Sequence, residues 1–388
     1  MSEAKAHIIG IDATNLRGGG GVTHLVELLR LANPKIHGFE RIVLWGGSAS
    51  LKLVEDRSWL DKRTPSALDK GLLQRTFWQS YCLSKAAGDE GCAVLFVPGG
   101  SYAGDFQPVV TMSQNLLPFE MLELRRYGWT LLMFKLMLLR LTQSRSFRKA
   151  NGVIFLTEYA RSKVLSVIGK ISGQTSIVPH GLSPRFNKAP KPQQDITEYD
   201  NARPYRILYV SIIDQYKHQW CVVEAVSILR EQGFPILLDL VGPAYLPALQ
   251  RLNAKIDIMD PERHWVHYHG AIAFDALHHQ YSQADLGLFA SSCENMPNIL
   301  LETMASGLPI ACSNRGPMPE MLGDSGVYFD PEQPQSIVEA LLTLVKSAPL
   351  RTELAQSSYS LAQKYSWQYC ADETFGFLKE SVQKYKGK

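Results

Sequence analysis

The chain of 388 residues has few cysteines, little charge imbalance and no long apolar run, and each absence removes a class of function. Its six cysteines, Cys82, Cys92, Cys221, Cys293, Cys312 and Cys370, contain no Cys-x-x-Cys pair. They sit mostly among apolar neighbours, which excludes a disulfide scaffold or thiolate zinc site and marks them as reduced core residues. Forty Lys and Arg stand against 37 Asp and Glu, a formal charge of +3. A nucleic-acid-binding chain would carry a far stronger basic excess, so no nucleic-acid partner is expected. No uncharged apolar stretch reaches the roughly 20 residues needed to span a bilayer. The start runs directly into a strand without an apolar signal region, so a cytoplasmic location is expected.

What is present is an alternation of short apolar runs with helical segments. The 45% hydrophobic content is enough for two cores of ordinary size. Strands are expected at 7–12, 41–45, 93–97, 109–112, 153–157 and 176–178, and in a second series at 206–210, 236–241, 265–268, 285–290, 308–312 and 327–329. Such alternation implies doubly wound parallel sheets, with ligands at the carboxyl ends of the strands. In the first series those ends are Pro98 to Ser101, Ser113-Gln114-Asn115 and Pro179-His180-Gly181. The proline-rich, polar stretch 188–204 reads as a linker between a first domain, 1–187, and a second, 205–365.

The stretch from Ser291 to Pro309 reads as turn then helix, after the apolar run 285–290. Pro297 suits the first helical position and Asn295 the cap before it. The N–H groups of Asn298, Ile299 and Leu300, just after Met296, would then face an open turn at the positive end of a helix dipole, which attracts phosphate. Glu294 and Glu302 frame this turn. Asn298 and Glu302, four apart, share a helix face. Taken alone, the two glutamates also fit a loop carboxylate and a solvated helix residue.

Gly19, Gly20 and Gly21 lie between a strand and a helix, where glycine lets a ligand approach the backbone; a flexible loop is the other reading. Lys217 stands at a helix start, an unfavourable place for a cation unless an anion is bound there. His24 and His180 fit structural positions. Between Met121 and Ala150 seven basic residues (Arg125, Arg126, Lys135, Arg140, Arg145, Arg148, Lys149) meet one acidic residue, Glu123, amid apolar side chains including Trp129 and Phe134. This is read either as an interfacial helix attracted to anionic lipid or as a core helix with charged edges.

The segment Glu294-Asn-Met-Pro-Asn-Ile-Leu-Leu-Glu302 and the helix after it resemble the retaining glycosyltransferases of family four (glycosyl transferases group 1), whose motif is Glu, seven residues, Glu. The resemblance implies the GT-B fold, two Rossmann-like domains facing across a cleft, and a C-terminal helix, 366–388, crossing back to the first domain. It implies that Glu294 holds donor-sugar hydroxyls and Glu302 the ribose, and that Lys217, in the segment beginning at Ser211, neutralises the donor diphosphate. The glycine loop would lie over the phosphates, and Val241-Gly242 and His269-Gly270, at the ends of two strands, would border the base. Two departures stand out. Ile212 occupies the place of an expected arginine, with Arg17, Arg161, Lys163 and Arg185 as candidate replacements. Gln114 or Asn115 would supply the hydrogen bonds given elsewhere by a histidine. The Asp-x-Asp metal motif of other glycosyltransferases is absent, so no metal or cofactor is expected.

The expected function is therefore transfer of a hexose, with mannose slightly preferred, from a GDP- or UDP-sugar to a glycan in O-antigen or polysaccharide synthesis. Related enzymes often act on lipid-linked acceptors, which favours the interfacial reading of 121–150 and peripheral contact with the inner face of the membrane. A sugar-nucleotide epimerase, a phosphorylase and a non-catalytic nucleotide-sugar sensor are the alternatives.

Overall fold

A computed structural model describes residues 7–387. The first six positions, on which the expectation about a leader partly rests, lie outside them. The described chain divides into two compact units. One runs through Met121, from Trp129 to Gly181 and from Ser366 onward, and the other holds Leu122–Gly128 and Leu182–Tyr365. The division falls at Gly181/Leu182, ahead of the boundary expected after 187.

The first unit holds seven strands: β1 His7–Ala13, β2 Phe39–Gly46, β3 Leu60–Arg63, β4 Cys92–Val97, β5 Val109–Met112, β6 Gly152–Phe155 and β7 Gln174–Ile177. They pair in parallel in the order β3-β2-β1-β4-β5-β6-β7. The central strands are buried on both faces, which is why they read as continuous apolar runs. The helix Trp367–Lys386 belongs to this unit and packs on the helix Gly20–Leu31 and on β4. Ser366 caps it through its side chain, which accepts from the Tyr369 N–H at 3.1 Å.

The second unit holds β8 Tyr205–Val210, β9 Ile236–Val241, β10 Val266–Tyr268, β11 Leu286–Phe289, β12 Ile310–Ser313 and β13 Val327–Phe329, all parallel, in the order β10-β9-β8-β11-β12-β13. Strand order reverses between β8 and β11, and sheets of this kind bind ligands at the carboxyl ends of the strands beside such a reversal. The stretch 188–204 is anchored within this unit: the Lys188 N–H donates to the Ala305 carbonyl at 2.9 Å and the Lys191 ammonium to Asp285 at 2.9 Å. The stretch expected as a linker between domains is thus grouped with the second unit.

Candidate functional site

Two loops leave the reversal point of the second sheet. After β8 come Ser211 to His218 and the helix Gln219–Glu231; after β11 come Ala290 to Pro297 and the helix Asn298–Ala305. Gly287 in β11 lets the second helix lie close to the sheet, since a Cβ there would stand 2.1 Å from the Thr303 methyl. Gly307, in the left-handed region at φ 67°, turns the chain after that helix and fits its position as a stop signal.

The helix begins one residue later than the sequence suggests. Pro297, at φ −81° and ψ 81°, is the cap position, and its carbonyl accepts from the Leu301 N–H at 3.1 Å. Asn295 is therefore not the cap; it is buried in the turn. The Asn298 N–H is turned back to the Met296 carbonyl at 3.0 Å, so it does not face an open turn. Ile299 and Leu300 remain in the first helical turn, where the amides point out of the helix end.

Lys217 and Glu294, from the two loops, are joined directly, the ammonium donating to Oε1 of the carboxylate. The lysine is 5% exposed. Its Nζ lies 5.1 and 5.2 Å from the ring centres of Tyr216 and Phe289, and Tyr209 donates to its carbonyl at 2.8 Å. A buried cation so close to a helix start needs a negative partner, and Glu294 supplies one.

Glu302 is less engaged. Tyr281 donates to it at 3.3 Å, and burial pushes its carboxyl up to about 8. At neutral pH it is largely protonated and can donate as well as accept hydrogen bonds. Gly242, at φ 145°, packs the β9 loop against the β8 loop: a Cβ there would lie 2.1 Å from the Ser211 carbonyl oxygen. Gly270 has no atom within 4 Å of an added Cβ, so its surroundings are open. The Ser211 hydroxyl accepts from Gln219 at 2.9 Å.

A group of residues that sequence reasoning passed over braces both loops. Leu122–Gly128, far upstream in the chain, belongs to this unit. Tyr127 donates to Asp214 at 2.8 Å, and burial holds that carboxyl above its ordinary range. Glu123 accepts from Ser292 at 2.8 Å, and Nε2 of His218 stands 2.9 Å from the same hydroxyl. Since the serine proton points to Glu123, His218 donates through Nε2 and is neutral; burial lowers it to about 4. Arg126 ties Glu123 to Glu332, at 2.7 Å to each. The sequence offers only the i,i+3 spacing of Glu123 and Arg126; nothing local points to Ser292, 169 positions away.

In the first unit, the glycine loop and Gln114 come together. Gly19 is at φ 64° before the helix that starts at Gly20, and a Cβ on Gly21 would lie 3.1 Å from the Gln114 side-chain oxygen. Gln114 Nε2 lies 3.3 Å from His24 Nδ1, while Oδ1 of Asn115 accepts from the Leu117 N–H at 3.1 Å. His24 is fully buried and packs on His180, which stacks on Trp367. Both histidines are structural in this arrangement. The candidate replacements for the missing arginine are locally engaged: Arg17 on the Leu68 carbonyl, Arg161 on Glu158, Lys163 on Glu120 and Arg185 on Asp275.

Residues 204–347 match the family model described as glycosyl transferases group 1. Among curated relatives, the O-antigen chain mannosyltransferase B of Escherichia coli is 28% identical over 241 residues, 60% of this chain and 62% of that one. A GDP-mannose-dependent alpha-(1-6)-phosphatidylinositol monomannoside mannosyltransferase of Mycobacterium tuberculosis is 24% identical over 56% of this chain and 57% of its own. The chain thus spans less than two thirds of the length of these relatives. Among solved structures, Anabaena Alr3699/HepE in complex with UDP and glucose superposes with a TM-score of 0.68 at 15% identity, covering 96% of this chain and 100% of that one. That likeness concerns the fold.

Proposed function

We propose, from the premise that this chain belongs to the glycosyl transferases group 1 through residues 204–347 and has the GT-B fold, that it is a retaining, metal-independent hexosyltransferase using a nucleotide sugar. The observation that carries the reading is the Lys217–Glu294 pair at the point where strand order reverses. Breaking the bond between the anomeric carbon and phosphate leaves negative charge on the diphosphate and positive character on the sugar. Lys217 is the cation for the former, aided by the Ile299 and Leu300 amides and the helix dipole behind them. Glu294 holds Lys217 until donor arrives, and then takes sugar hydroxyls. Glu302 binds the ribose. Ser211, Asn295, Met296 and Asn298 line the diphosphate and sugar, and Gly242 and Gly270 the base. The acceptor hydroxyl attacks from the face the phosphate leaves, and its proton passes to a phosphate oxygen. The anomeric configuration is kept.

The first unit receives the acceptor, with Gly19 to Gly21 as its approach and Gln114 and Asn115 as hydrogen-bonding groups. Mannose from GDP-mannose is the leading donor, supported by the two mannosyltransferase relatives. A lipid-linked glycan is the leading acceptor, and the enzyme works from the cytoplasmic face of the membrane. On the helix Leu131–Lys149, Leu131, Phe134, Leu138 and Leu141 are exposed on one face, Trp129 just before it is 87% exposed, and the helix has five basic and no acidic residues. Such a face suits contact with anionic lipid. Among the described residues no helix is long and apolar enough to cross a membrane.

Incubation with GDP-mannose, UDP-glucose or a UDP-N-acetylhexosamine and a lipid-linked glycan tests the proposal. A product whose new linkage keeps the donor's anomeric configuration, read by NMR, supports it; an inverted linkage refutes retention. A nucleotide that raises the melting temperature while no donor is consumed with acceptor present would favour a sugar-nucleotide sensor. At a hundred times its dissociation constant such a ligand adds about 2.7 kcal/mol.

A further inference from the structure

At the β10 edge of the second sheet, beside Gly270, three side chains converge that the proposed reaction does not use. Asp239 in β9 stands opposite His267 in β10, and His269 follows just after the strand ends at Tyr268. Oδ1 of Asp239 lies 2.7 Å from Nε2 of His269 and 3.8 Å from Nδ1 of His267, and one ligand atom from each residue falls within 4.8 Å of the others. Around a tetrahedral zinc ion with bonds near 2.0–2.1 Å, neighbouring ligand atoms stand about 3.3 Å apart, so small movements bring the three onto one ion.

We propose that Asp239, His267 and His269 form a site for a borderline divalent cation of the zinc class. Imidazole nitrogens with one carboxylate favour zinc, nickel or copper over magnesium or calcium, which prefer oxygen ligands throughout. Arg206 on β8 donates to Oδ2 of Asp239 at 2.8 Å, which fixes the carboxylate with Oδ1 toward the histidines. That is the outer-shell orientation a ligating carboxylate needs. Asp239 is nearly buried while both imidazoles reach solvent, so the ion has a route in and an open position for water. The ion ties the edge strand to its neighbour and takes no part in sugar transfer, so the proposal stands apart from the function argued above.

The test is calorimetric titration of the full, untagged chain with zinc chloride in a non-coordinating buffer, beside His267→Ala, His269→Ala and the double variant. His267 in the edge strand and His269 just after it are both partly exposed, and a melting curve without metal verifies that each variant folds. One equivalent bound by the wild type, at least tenfold more tightly than by the double variant, is the expected result. Cobalt should give the visible absorption of a four-coordinate nitrogen and oxygen site in the wild type only. Equal zinc binding by the wild type and double variant, or none by the wild type, overturns the proposal.

Discussion

The hydroxyl of Ser292 donates to the carboxylate of Glu123 at 2.8 Å, across 169 positions of chain. Through it a short upstream segment holds the loop that carries Glu294, while Tyr127 of the same segment holds the loop that carries Lys217. The two halves of the proposed diphosphate site are thus aligned by residues that are themselves no part of it.

Replacing Glu123 by Gln should weaken this alignment and leave the proposed donor contacts in place. Loss of a charged hydrogen-bond acceptor costs roughly 1.5 kcal/mol, about a tenfold rise in the donor dissociation constant. Nucleotide titration of the folded variant checks this, with the melting temperature as control. Tyr127→Phe should act in the same direction through Asp214.

Glu302 predicts a pH dependence of stability. Its carboxyl ionises near 4.5 in the unfolded chain and, raised by burial, near 8 in the folded one. Between those values the folded state binds more protons, so stability falls as pH rises through the window. Glu302→Gln should remove that component in melting curves taken from pH 5 to 8.

His218 works with the opposite sign. Burial lowers it from 6.5 to about 4, so the unfolded chain binds more protons between those values and stability drops as pH falls through them. His218 sits at φ 52°, which Asn tolerates better than most residues. His218→Asn should flatten acid destabilisation in this range.

Gly242→Ala should destabilise the second unit by at least about 2 kcal/mol, because its φ of 145° and the Ser211 carbonyl 2.1 Å from the added Cβ leave no place for a methyl group. Denaturant unfolding measures the loss.

Trp129→Ser with Lys135→Glu should reduce sedimentation with vesicles rich in anionic lipid and leave the melting temperature unchanged. Trp129 is exposed, so its removal costs little packing. Unaltered vesicle binding would remove the membrane-contact part of the proposal.

Much of the fold was legible because parallel strands buried on both faces are apolar over most of their length, as β4 and β6 are. Strand β3, Leu-Asp-Lys-Arg, was not legible: it lies at the sheet edge, where charges protect an unpaired backbone and mask the apolar pattern. Of the candidate site, Lys217 and Glu294 stood out as local motifs, and the structure joins them. Glu123, Tyr127 and Ser292 did not, because their partners are distant in sequence and no spacing rule links them. In sequence His269 reads only as a neighbour of the base, and its grouping with His267 and Asp239 escaped because the carboxylate comes from another strand.

The most direct measurement is the rate of nucleoside diphosphate release, with donor and lipid-linked acceptor at saturation, from the wild type, Lys217→Ala and Glu294→Gln, each shown to be folded. A charge aimed at the departing diphosphate contributes roughly 100- to 1,000-fold to turnover. Losses of that size are expected in the Lys217 variant and a marked loss in the Glu294 variant. Wild-type turnover in a folded Lys217→Ala protein would contradict it.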